Sequence, residues 1–174
     1  MRKQTKNMVL SAMFIALGIV LPFFTGQIQY IGNMLLPMHI PVFLCGLICS
    51  WQYGAAVGFI LPLLRSLLFS MPPLYPNAVA MAIELATYGL VAGFLFACFK
   101  RKNLRAVYLS IIPAMLAGRI IWGLTQTLLL GINGKGFTFA AFLAGGFANA
   151  VPGIVLQLVL LPSVMLLIRK AHIK

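Results

Sequence analysis

Carboxylates are almost missing from this chain. Among its 174 residues there is no aspartate, one glutamate, Glu84, and two histidines, His39 and His172. One acid cannot form a paired-carboxylate acid/base system, and neither an HExxH helix nor a GxSxG elbow occurs, so no enzyme is expected. Cysteine is scarce too: Cys45, Cys49 and Cys98 all lie in apolar stretches, which makes a disulfide framework an unsuitable reading. Cys45 and Cys49 share a helical face at i, i+4, yet no histidine or acid stands beside them, so they read as packing residues rather than metal ligands. No cofactor is implied. GINGKG, Gly131 to Gly136, lacks the GxxxxGK[ST] spacing of a phosphate loop and has no strand before it. Long polar stretches are also absent; the longest are the first seven residues and Lys100 to Arg105, which leaves no soluble domain and makes residues 1–174 a single membrane domain.

What is abundant is apolar surface. With 62% hydrophobic and 8% charged residues the chain cannot cover itself in a polar coat, and several apolar runs approach the roughly 20 residues that a helix needs to cross about 30 Å of hydrocarbon. The reading is an all-α integral membrane protein. A net charge of +12 would suit nucleic acid only if the cations lay on a folded, water-exposed face. They cluster at helix ends instead, where anionic lipid headgroups account for them, so the bilayer is the expected partner and nucleic acid is not.

Six spans follow in order. Arg2, Lys3 and Lys6 precede an apolar run from Met8 to Phe24, and no clear small-x-small site follows it, so a retained first helix is expected rather than a cleaved signal. After an uncharged loop, Thr25 to Met34, come a second, rather short segment, Leu35 to Ser50, a turn around Trp51 to Gly54, and a third helix, Ala55 to Ser70. The prolines of Met71 to Asn77 break the helix. A fourth runs from Ala78 to about Phe99, a fifth from about Ala106 to Leu130, and a sixth from near Phe139 to Ile168 with Gly145, Gly146 and the Pro152, Gly153 pair as possible bends. With both termini cytoplasmic, ten cations fall on one side and only Lys135 on the other, a strong positive-inside pattern that five or seven spans would destroy.

Two cations remain, Arg65 and Arg119, and with Glu84 they lie inside apolar segments. An ionisable group at the bilayer centre costs at least about 2.5 kcal/mol, so it is expected to face a protein interior or a ligand. Asn77, Met81, Glu84 and Tyr88 follow i, i+4, i+7, i+11 spacing and make one stripe on helix four; Arg119, Trp122 and Gln126 at i, i+3, i+7 make another on helix five. His39 near the outer start of helix two, and Asn149 and Gln157 on helix six, add polar groups at similar depth. Together they outline a pocket facing the exterior, with a few polar groups in apolar walls. An arginine paired with Glu84 would leave the second arginine as a hook for an anionic ligand; a purely structural ion pair with interhelical amide bonds is the alternative. Trp51, Tyr30 and Tyr75 fit an interfacial aromatic belt, and Trp122 is better placed for ring stacking. Ala12 and Ala16, with Gly18 close by, form a small-xxx-small face where another helix can approach.

The six-helix layout, the Ala12-xxx-Ala16 face, LPMHIPVFLCGL from Leu36, YGAAVGFILPLLRSLLF from Tyr53 and ELATYGLVAGFLF from Glu84 resemble the substrate-binding S components of energy-coupling factor (ECF) transporters over nearly the whole chain. That resemblance implies capture of a water-soluble vitamin, a transmembrane T subunit met through the alanine face, two cytoplasmic ATP-binding subunits that hydrolyse ATP in its place, and a bacterial plasma membrane location. The gating loops would be Thr25 to Met34, Met71 to Asn77 and Gly131 to Thr138. Two arginines favour an acidic vitamin such as pantothenate; a riboflavin- or pyridoxine-type ligand would also suit aromatic walls and amides. Two competing readings are a self-sufficient carrier or channel that uses Glu84 for proton coupling, and a structural subunit with no small-molecule ligand.

Overall fold

The computed structural model of the chain describes residues 3–25, 35–132 and 136–173. Most of those residues are helical, with no strand among them. Helix α1 spans Lys3–Val20 and continues as a tighter 3-10 turn over Leu21–Thr25. It is followed by α2, His39–Ile48, α3, Trp51–Phe69, and an irregular wide turn over Leu74–Ala78. Then come α4, Val79–Cys98, α5, Leu104–Ile132, α6, Phe139–Gly146, a 3-10 turn over Ala148–Ala150, and α7, Val151–Ile173. Among the described residues five helical stretches are long and apolar enough to cross a membrane: Lys3–Phe24, Trp51–Phe69, Leu74–Cys98, Leu104–Ile132 and Phe139–Lys170.

The segment expected as a second span, Leu35 to Ser50, is helical over only the ten residues of α2, about 15 Å or half the hydrocarbon thickness. Every residue from His39 to Leu47 is buried, so this helix is apolar because it is enclosed by α1, α3, α4 and α7 rather than because it faces lipid. The turn expected at Trp51 to Gly54 is the first turn of α3 instead. The reversal takes place at Cys49 and Ser50, where Ser50 adopts a positive φ of 142° and its carbonyl accepts from Gly54 N–H at 3.0 Å. Close backbone contact drives this compactness: a Cβ at Gly89 would stand 2.2 Å from the Gly54 carbonyl oxygen, and one at Gly58 2.3 Å from that of Leu85. Glycine at these positions lets α2, α3 and α4 pack almost backbone to backbone.

Helix ends follow local chemistry. Ser70 closes α3 in the left-handed region (φ 57°), and its N–H bonds the Ser66 carbonyl at 2.8 Å. Asn103 caps α5 by accepting from Ala106 N–H at 2.9 Å, and Thr138 caps α6 by accepting from Ala141 N–H at 3.2 Å. α5 continues through Gly131 and Ile132, so only the later part of GINGKG lies beyond it. The sixth expected span is divided after Gly146, at the double glycine, while Pro152 sits in the first turn of α7, where its missing N–H costs no helical bond.

Candidate functional site

The polar stripe on α4 is set by its own register and by α5. Gly118 allows the Tyr88 ring to lie against α5, since a Cβ there would come within 2.1 Å of the Tyr88 Cε1. The next residue, Arg119, then reaches Glu84: its Nη1 stands 3.0 Å from Glu84 Oε1, and the two residues are 5% and 1% exposed. Tyr88 donates its hydroxyl to the same oxygen at 2.7 Å, and His39 Nε2 stands 3.8 Å away, beyond hydrogen-bond distance. The rings of Phe43 and His39 close on Tyr88, with centroids at 5.0 and 5.3 Å.

Above this knot lies a cavity of about 150 Å³. His39, Asn77, Glu84, Arg119, Trp122 and Asn149 all line it, so six of the eight ligand-binding residues expected from sequence converge on one space. Met81 and Gln126, members of the two stripes, line it as well. Gln126 Nε2 donates to Asn77 Oδ1 at 3.3 Å and leaves its own Oε1 buried without a hydrogen-bond partner. Leu36, Pro72 and Gly145 complete the wall; Pro72 belongs to the loop expected to gate the site, whereas Leu36 and Gly145 are not among the expected site residues. The double glycine of α6 was the available signal: a Cβ at Gly145 would lie 3.0 Å from the Trp122 ring, so glycine there lets α6 rest closely on the indole. The rings of Phe137 and Phe142 also pack on the indole, with centroids at 5.8 and 6.3 Å.

Two expected residues stand elsewhere. Arg65 is 3% exposed, donates from Nη1 to the Ile19 carbonyl at 2.7 Å, and lies 5.4 and 5.5 Å from the rings of Phe23 and Phe69. It satisfies a carbonyl at the C-terminal end of α1, where Pro22, three residues on, has no N–H to give. Arg65 clamps α1 to α3 and does not line the polar cavity. Gln157 is 1% exposed on α7 and does not line the cavity; its Nε2 is buried without a hydrogen-bond partner. No group of three or more histidine, cysteine or acidic residues that could hold a metal occurs among the described residues.

Of the three loops expected to gate the site, Met71 to Asn77 is described throughout and contributes Pro72 and Asn77 to the cavity. Tyr75 donates its hydroxyl to the Leu129 carbonyl and so ties this loop to the end of α5. Nearly all of Thr25 to Met34, with Tyr30, lies outside the described residues, as do Asn133, Gly134 and Lys135 of the third loop. Ala12 and Ala16 are exposed along α1, whereas Gly18 faces inward, where a Cβ would stand 2.4 Å from Leu61 Cδ2. Gly18 therefore belongs to the core and not to the alanine face.

Among the described residues, five helices of membrane-crossing length, with a small polar cavity among the elements of their bundle, define a class: a multi-pass membrane protein. The model of the ECF transporter substrate-specific component family matches residues 6–165, and the chain belongs to that family. Its members bind substrate and are not catalysts. Neither the curated proteins nor the solved structures give a match.

Proposed function

We propose that this chain captures a small, ring-bearing, uncharged vitamin of the pyridoxine type at its polar cavity and delivers it through an ATP-driven complex. The observation that carries the substrate class is the Arg119–Glu84 pair at 3.0 Å. With Arg65 engaged at Ile19, the described cavity wall holds one cation and one anion already paired, which removes the surplus positive charge that would favour pantothenate. What it does offer is an indole face and the amides of Asn77, Gln126 and Asn149, groups that stack on a ring and bond its hydroxyls. The volume of about 150 Å³ also favours a single-ring ligand over a flavin. In this reading His39, Asn77, Glu84, Arg119, Trp122 and Asn149 contact or position the ligand, with Gln126 beside them, and Met71 to Asn77 is a lid.

The same reading assigns both termini to the cytoplasm of a bacterial plasma membrane and the exposed Ala12, Ala16 strip to a T subunit, with two ATP-binding subunits as the engine. Support comes from the family, from the basic clusters at one end of the bundle, and from the exposure of Ala12 and Ala16. Uptake of labelled pyridoxine into proteoliposomes tests it. Uptake is expected only when T and ATP-binding subunits are co-reconstituted; uptake by the chain alone, driven by a proton gradient, would replace this account with a carrier in which Glu84 couples protons.

A further inference from the structure

A second cavity, about 730 Å³, lies at the opposite end of the bundle from the polar cavity. It is bounded by α1, the start of α5 and the end of α7: α1 packs on α2 and α3, α7 packs on α5 and α2, and the groove opens between those pairings. Lys3, Lys6, Lys102 and Arg169 stand around it. Lys102 Nζ donates to the Phe96 carbonyl and lies 4.5 Å from the Phe96 ring centroid, which fixes one charge against the groove wall. None of the four has an acidic side chain to pair with, because the only one in the chain, Glu84, is committed to Arg119 in the other cavity. Four cations gathered on one concave surface repel one another, and an external anion relieves that repulsion.

Deeper in, the walls turn apolar, with Leu10, Phe14, Val107 and Met165. From Lys3 to Phe14 the helix advances eleven residues, about 16 Å, which matches one leaflet of a hydrocarbon core about 30 Å thick. Cations at the rim and an apolar channel one leaflet deep are complementary to a negatively charged headgroup carrying an acyl chain, and to neither a free anion nor an acidic peptide.

We propose that this groove is a binding site for one anionic phospholipid, its phosphate held among Lys3, Lys6, Lys102 and Arg169 and one acyl chain lying along Leu10, Phe14, Val107 and Met165. Delipidated protein in neutral detergent, titrated with phosphatidylglycerol or phosphatidylcholine and followed by native mass spectrometry, tests it. One phosphatidylglycerol per chain is expected to be retained, with phosphatidylcholine at least tenfold weaker. The K102Q/R169Q variant should weaken phosphatidylglycerol by about tenfold or more, while K100Q/R101Q, which removes exposed cations outside the groove, should not. Equal retention of both lipids, equal losses in the two variants, or displacement by inorganic phosphate or a polyglutamate peptide at matched concentration would overturn the proposal. Counting lipids on the intact ion keeps the result independent of any change in stability.

Discussion

Glu84→Gln is the most informative single change in the bundle. It preserves side-chain size and leaves an oxygen to accept from the Tyr88 hydroxyl, so it isolates the charge. What it strands is Arg119, 5% exposed, whose guanidinium loses the carboxylate 3.0 Å away. Breaking a buried pair from one side costs about 3–5 kcal/mol, whereas replacing both partners by neutral side chains of similar size is often close to neutral. Equilibrium unfolding in mixed micelles should therefore show E84Q destabilised by about 3–5 kcal/mol, with E84Q/R119M more stable than E84Q alone. If the two single costs instead add to within about 0.5 kcal/mol in the double variant, the residues are not coupled and the pair does not organise the site.

Other changes separate structure from recognition. Arg65→Met should destabilise the protein by about 1.5–3 kcal/mol through the lost charge-assisted bond to the Ile19 carbonyl, yet leave vitamin affinity within about twofold; a tenfold loss in isothermal titration would return Arg65 to the binding site. Gly89→Ala should cost at least about 1–3 kcal/mol by forcing α3 and α4 apart, since its Cβ would stand 2.2 Å from the Gly54 carbonyl oxygen; unchanged unfolding would refute that close packing. Ala12→Trp, on an exposed face, should abolish co-purification with a T subunit while ligand binding persists, and retained assembly would place the T contact elsewhere.

Much of the cavity was legible in the sequence because helical spacing is a strict geometric rule. Met81, Glu84 and Tyr88 share a face of α4, as Arg119, Trp122 and Gln126 do on α5, and the structure turns the two stripes toward each other; Asn77 joins them from the wide turn that precedes α4. Arg65 shows the limit of that reasoning. Hydropathy and topology give depth along the membrane normal, but a lone polar residue on an apolar helix carries no second residue to define its face. Gln157 is spaced eight residues from Asn149, but Asn149 lies in the 3-10 turn before α7, so helical spacing does not carry from one to the other and only Asn149 lines the cavity. The segment Leu35 to Ser50 is short in the sequence, but its enclosure is not legible there, because an apolar run reads alike whether it borders lipid or is enclosed by neighbouring helices. Gly145 and Gly146 were read as a break, and they are one, but their contact with Trp122 depends on tertiary packing that no local pattern announces.

Trp122 itself offers the most direct test of ligand capture. The chain has two tryptophans, so Trp51→Phe leaves Trp122, in the cavity wall, as the only indole emitter. Titrating detergent-purified W51F with pyridoxine should change Trp122 emission saturably with one ligand per chain, and Asn77→Ala or Gln126→Ala should weaken that binding by about two- to tenfold for each hydrogen bond lost. Emission that does not saturate with any vitamin, or saturates identically in both amide variants, would contradict a vitamin site in this cavity.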